Sequence, residues 1–248
     1  MNIRLLPDVI VGHTLQLSIA VLDTGLSLKH PALQNCVVAS SRSFTGDNPE
    51  EDLLDHGTGS CGLLAARAGF GGTSGLVPDV PLHIGQIMGS EGKGDVYTLC
   101  AGLRWATTLG VDIIAIPTGL RSHHPELEAV VTEAVSRDIL IFAAVGNPYY
   151  LQCGPLYPAA YSEVVAVGCS MYHNDYLSWS RPPDLILSAH NISTCTAEGG
   201  WRLSSGTSVA TIKAAGLACQ VLKSWENTTR SSRSILRGAL LTTIKSIE

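Results

Sequence analysis

Charge is scarce in this sequence: only 15% of its 248 residues are Asp, Glu, Lys or Arg, and 6% are aromatic, against 45% hydrophobic. Such a balance excludes a self-solvating, disordered chain and leaves a compact globular one. Basic runs are missing and the formal net charge is -5, so the electrostatic footprint of a nucleic-acid or anionic-membrane binder is absent. Neither partner is expected. No stretch reaches the roughly 18 uninterrupted apolar residues of a membrane span. The opening segment, MNIRLLPDVIVGHTLQLSIAVLD, lacks the charged start, apolar core and small-residue cleavage site of a secretory leader. Seven cysteines (Cys36, Cys61, Cys100, Cys153, Cys169, Cys195, Cys219) show no CxxC spacing and are odd in number. They argue against a disulfide framework and for reduced thiols in a cytoplasmic setting. In that setting the sequons at Asn191 and Asn227 are chance matches.

What is present is an alternation of short apolar runs with helical patterns. LSIAVLD (17–23), PLHIGQIM (81–88), VDIIAIPT (111–118), ILIFAAVGN (139–147) and EVVAVGCS (163–170) are near-continuous in Ile, Val, Leu and Ala. Strands of a parallel sheet covered on both faces have that composition. Residues 57–69, 96–110 and 124–138 carry helical spacing; the second stretch ends at Gly110 and the third begins at Pro125-Glu126. The alternation predicts a single α/β domain over 1–248, a doubly wound, mostly parallel sheet with helices on both faces. Its core spans about 17–223, and 224–248 is expected to be a final helix or a loose tail.

Reactive groups in such sheets collect at the carboxyl ends of the strands. That rule selects Asp23, Pro117 to Gly119 and Asn147 at strand ends, with His56 and Ser208 at the openings of helices. A serine hydroxyl is a poor nucleophile until a base takes its proton, and the base must be held in one tautomer, commonly by a buried carboxylate. Asp23 in VLDTG, His56 in DHGTG and Ser208 in GTSVA supply those residue types in order along one domain. Each also has a plain structural role open to it: a strand-end turn for Asp23 and Asn147, helix capping for His56 and Ser208.

Five ordered segments carry a resemblance to the subtilisin-like serine proteases. IAVLDTGLSLKHPAL resembles the Asp segment of that family, HGTGSCGLLAA its His segment and SSGTSVAT its Ser segment. FAAVGN and YPAAYSEVVAVG are similar to two further stretches, and 75–119 is similar to the substrate-cleft region. The resemblance implies an endopeptidase working through an acyl-enzyme on extended peptide or protein substrates. Ser208 would attack, His56 would shuttle the proton, and Asp23 would orient the imidazole. The Asn147 amide and the Ser208 backbone N–H would hold the oxyanion. Gly92 and Gly94 would pair with the peptide, facing Pro117, Thr118 and Gly119. Val145 and Gly146 would form the opposite wall, with Leu156 at the base of a shallow, apolar primary pocket.

Departures from the family pattern leave a catalytically weak peptide-binding relative, or a specialised peptide-maturation protease, as alternatives. Gly59 stands where the family has a second histidine, Ile212 where a proline is common, and LILSAH (185–190) where Ala-Pro-Gly is usual. Only 16 residues precede the first strand, so either a longer leading segment was removed or the chain folds unaided. The acidic stretch GDNPEEDLLD (46–55) lacks ligands at alternate positions and is expected to be a solvated loop. No cofactor and no metal are expected, with a structural calcium ion left open. His30, His123, His124 and His173 lack ligand spacing and are expected at the surface or at helix caps. GFGGTSG (69–75) follows a helix rather than a strand and is no phosphate loop. A serine esterase of the α/β-hydrolase type is excluded, because the serine does not stand in G-x-S-x-G and the acid and histidine precede it. Substrate identity and oligomeric state are not legible.

Overall fold

The computed structural model describes residues 16–147, 154–225 and 233–247. Cys153, the sequon at Asn227 and the leading 15 residues lie outside them. Seven parallel strands form one sheet in the order β2-β3-β1-β4-β5-β6-β7. They are β1 (Ile19–Asp23), β2 (Val38–Ser43), β3 (Leu82–Gln86), β4 (Ile113–Ile116), β5 (Leu140–Ala144), β6 (Val165–Cys169) and β7 (Leu185–Leu187). The helices are α1 (His56–Ala65), α2 (Val96–Leu109), α3 (Pro125–Ser136), α4 (Thr207–Ser224) and α5 (Arg233–Ile247). An antiparallel hairpin, β8 (Ile192–Cys195) with β9 (Trp201–Ser204), stands apart from the sheet.

The five apolar runs become the five inner strands, for a simple reason. Ile19 and Val21 enter one core layer with α1, α4 and α5, while Ala20 and Leu22 enter the other with α2 and α3. Burial on both faces removes the polar alternation that would mark a half-exposed strand. The two edge strands β2 and β7 were not expected. No residue of VASSRS in β2 is fully buried, so its polar composition hides the strand, and Leu185–Leu187 of the LILSAH stretch forms a short strand.

Helix ends follow local chemistry. Asp95 and Thr98 form a reciprocal capping box at the start of α2, and Gly110 ends it in the left-handed region. His124 caps α3, accepting from the Glu126 N–H at 3.3 Å, and His30 accepts from the Ala32 N–H at 3.1 Å, so two of the four histidines do serve as caps. Within the C-terminal stretch the described residues 233–247 form α5, and its Leu240 and Ile244 are buried at helical spacing against the core.

The chain leaves β1 for β2 and β3 on one side of the sheet, then crosses to β4 on the other. That reversal opens a crevice at the carboxyl end of β1, and Asp23 is the last residue of that strand.

Candidate active site

Asp23 is fully buried at the floor of the crevice. Its Oδ1 lies 2.6 Å from His56 Nδ1 and accepts the Thr24 N–H at 2.8 Å; its Oδ2 accepts the Ser60 hydroxyl at 2.7 Å. A carboxylate only accepts, so Nδ1 carries the proton and Nε2 presents a lone pair. The His56 side chain is 33% exposed and reachable from solvent. The negative charge of Asp23 raises the His56 pKa above its ordinary value; burial works against the shift, the hydrogen bond and Asp52 support it, and Arg202 opposes it.

His56 starts α1, yet the residue before it does not cap the helix. Asp55 adopts φ 59° and makes no side-chain cap bond. Thr24 Oγ1 accepts the Gly57 N–H at 2.8 Å instead, and Asp52 Oδ2 accepts the Thr58 N–H at 2.7 Å. Thr24 also donates to Asp52 Oδ1 at 2.8 Å. Two orphan donors of α1 are thus satisfied, from Thr24 just past β1 and from the 46–55 segment, which ties the histidine helix to the end of the aspartate strand. Close approach completes the lock, since a Cβ on Gly57 would collide with the Gly25 carbonyl. Asp52 corrects the expectation of a solvated loop: it is 2% exposed. A buried carboxylate has no signature inside an acid-rich stretch, so only its partners reveal it.

Gly59 explains itself through packing. A Cβ there would come within 3.3 Å of Thr194 Cβ, and one on Gly62 within 2.7 Å of Cys195 Sγ. The hairpin therefore lies against a glycine track on α1, in space that a larger side chain at 59 would need. Ile212 is fully buried inside α4.

Ser208 is the second residue of α4, not its cap; the cap position is Gly206, with φ 120°. The serine hydroxyl donates to the Pro117 carbonyl at 2.7 Å. Among the described residues no hydrogen bond joins it to His56. Asn147 follows the carboxyl end of β5, and its Oδ1 accepts both the Thr207 N–H at 3.1 Å and the Thr207 hydroxyl at 3.2 Å. A backbone N–H can only donate, so the amide oxygen must face Thr207 and the NH2 group points away from it. A Cβ on Gly206 would stand 2.9 Å from Asn147 Oδ1. Gly206→Ala is therefore expected to cost about 1–3 kcal/mol of stability, through the positive φ. It is also expected to lower turnover by displacing Asn147; denaturant unfolding and steady-state rates check the two effects.

Gly92, Gly94, Thr118 and Gly119 come together around a groove of about 120 Å³ that Met88, Leu99 and Leu120 also line. Gly92 sits in a tight turn closed by Gly89 N–H to Lys93 O and Gly92 N–H to Gly89 O, both 2.9 Å. Pro117 contributes its carbonyl to Ser208, as above. Leu156 packs on Gly119, where a Cβ would lie 2.8 Å from Leu156 Cβ, so it fills space beside that wall. Val145 is a correction. Its side chain is fully buried in the layer under α2 and α3, and it presents no wall to a cleft. Its N–H still bonds Val167 O at 3.0 Å, so the sheet continues one residue past the strand and keeps the side chain inside. Gly146, also buried, adopts φ 91° between Val145 and Asn147. Thr24, Asp52, Ser60 and Thr207 are the site residues that pattern alone missed; Thr24 and Thr207 at least flank expected positions.

Among the described residues, no group of three or more His, Cys, Asp or Glu side chains could hold a metal ion. No helix there is long and apolar enough to cross a membrane.

Known proteins share the family and the fold of this chain. The family model of the subtilases (peptidase S8) matches residues 15–247. The chain is 32% identical over 226 residues to the major intracellular serine protease of Bacillus subtilis (strain 168), covering 85% of this chain and 69% of that protein. It is 32% identical over 216 residues to subtilisin BL of Lederbergia lenta, covering 84% and 78%. A cold-adapted subtilisin-like serine proteinase superposes with a TM-score of 0.74 at 21% identity over 89% of this chain and 80% of that one. The protease domain of PatA gives 0.70 at 22% identity over 88% and 84%. A parallel sheet of this order, an aspartate–histidine pair at its switch point and a family match across the described core lead to one assignment: the chain belongs to the subtilase family.

Proposed function

We propose that Asp23, His56 and Ser208 carry the peptide-bond hydrolysis of this subtilisin-like serine endopeptidase, with Asn147 and the Ser208 N–H as its oxyanion hole. The observation that carries the proposal is the 2.6 Å contact between His56 Nδ1 and the buried Asp23 carboxylate. It leaves Nε2 as a base on a partly exposed ring, the arrangement a serine nucleophile requires. The Ser208 hydroxyl rests on Pro117 O, and a rotation about its χ1 to another staggered position hands its proton to His56; such bonds often form only with substrate in place. Oγ then attacks the peptide carbonyl, and the N–H at the start of α4, aided by the helix dipole, meets the developing negative charge. His56 returns the proton to the departing amine, and water repeats the sequence on the acyl-enzyme.

The substrate is an extended peptide laid between the 92–94 and 117–119 segments, a form of strand addition. Leu156 against Gly119 supports a shallow, apolar primary pocket without a fixed charge. A cytoplasmic setting is supported by the relatives named intracellular serine proteases, from Bacillus subtilis and Paenibacillus polymyxa, and by Cys36, Cys61, Cys100, Cys169 and Cys195, which stand as free thiols among the described residues. No cofactor is invoked in the chemistry.

A fluorophosphonate probe tests the nucleophile: labelling of the wild type at Ser208, mapped by mass spectrometry, is the expected result. Folded protein that resists the probe contradicts it. The base has its own signature. Because Asp23 raises the His56 pKa above 6.5, the neutral base accumulates only above that raised value. kcat/KM, followed from about pH 5 to 9, should therefore climb with pH along an acid limb centred above 6.5. In Asp23→Asn the limb should move down as the rate collapses. An acid limb centred below 6.5 in the wild type would contradict the pairing.

A further inference from the structure

The groove between 92–94 and 118–120 lies on the α2 side of the sheet, since Leu99 of α2 lines it. His56 and Ser208 open α1 and α4, which pack on the opposite face. A peptide in the groove with its reacting carbonyl at Ser208 therefore continues, past the scissile bond, toward the α1 and α4 side. The β8–β9 hairpin packs against α1 on that side. Register pairs Thr194 with Arg202, placing both side chains on one face of the hairpin, and Thr194 is the residue that abuts Gly59 of α1. Arg202 is thus aimed at the start of α1.

Its guanidinium is lightly engaged. Nη1 lies 3.4 Å from Leu54 O and 3.5 Å from Asp55 Oδ2, both at the outer limit of a hydrogen bond. Asp55 Oδ1 is already held at 2.6 Å by the Ala197 N–H, so Asp55 stays anchored without Arg202. Among the described residues Nε and Nη2 have no partner, and the side chain is 40% exposed. The charge is close enough to His56 to oppose the raising of its pKa. A planar fork with donors to spare, beside the base and on the leaving-group side, matches a carboxylate in geometry as well as charge.

We propose that Arg202 binds an acidic side chain one or two residues beyond the scissile bond, so that the protease favours Asp or Glu on the amine side of the cut. The inference rests on the triad assignment above. Amidated, internally quenched peptides that differ only at the first or second residue after the cut, Glu against Gln and Lys, test it. The cleavage position is read by mass spectrometry.

At low ionic strength kcat/KM for Glu is expected to exceed that for Gln at one of the two positions by about fivefold. The gap should narrow in about 0.5 M salt. Arg202→Gln closes the gap, Arg202→Glu turns the preference toward Lys, and Arg202→Lys, which keeps the charge without the fork, holds an intermediate ratio. Equal rates for Glu and Gln in the wild type, or a gap that survives Arg202→Gln, overturn the proposal. Failure to cleave any peptide, together with failure to react with the fluorophosphonate, takes down the triad assignment and this inference with it.

Discussion

Replacing Ser208 by Ala is expected to lower kcat by about 10⁶, the order of loss known for the nucleophile of subtilisin itself. It should leave the fold intact. Alanine is a better helix former than serine, and the position lies in the first turn of α4. The hydroxyl surrenders one bond, to Pro117 O; a single neutral hydrogen bond is worth about 0.5–1.5 kcal/mol. A thermal midpoint near that of the wild type, beside a turnover reduced to the background set by substrate binding and the oxyanion donors, is the expected pair of results. Loss of both together would mean that Ser208 is structural. Retention of both would move the nucleophile elsewhere.

Asn147→Ala carries the second largest effect, a fall of about 10²–10³ in kcat with KM little changed. The selectivity follows from geometry. Thr207 holds the amide oxygen through two hydrogen bonds, so the NH2 group points away from it, and in the proposed oxyanion hole it meets charge that exists only after attack. Asn147→Asp separates the two roles of the side chain. It keeps an acceptor for Thr207 but offers a negative group where a donor is needed, so it should lose at least as much turnover as the alanine variant. Steady-state kinetics on one peptide across the three proteins decides the matter. Equal losses in kcat and in peptide affinity would remove Asn147 from the oxyanion hole.

The inner sheet was legible because β1 and β3 to β6 are buried almost throughout on both faces and read as near-continuous apolar runs, with His83 and Gln86 of β3 the exceptions. β2 escaped because Ser40, Ser41 and Arg42 sit on an edge, where composition tracks solvent rather than pairing. The hairpin escaped for a different reason: its strands are four residues each, so the alternation of Trp201 and Leu203 with Arg202 and Ser204 is too short to stand out. Among site residues, Asp23, His56 and Ser208 stand in segments that name themselves through their order. Asp52 does not, because its burial depends on Thr24 and Thr58 arriving from other parts of the chain. Val145 was misplaced by one step of sheet periodicity, which sends its side chain inward rather than to the cleft.

The hairpin has a consequence beyond packing. Its first strand grips the helix that carries His56, through Thr194 and Cys195, and its second strand runs directly into the turn that presents Ser208. One short ribbon therefore ties the helix that begins at His56 to the helix that carries Ser208, a gauge between the two residues proposed as base and nucleophile. A slip of one residue in its pairing turns every side chain to the other face, so the gauge is digital: it reads true in one register and in no neighbouring one.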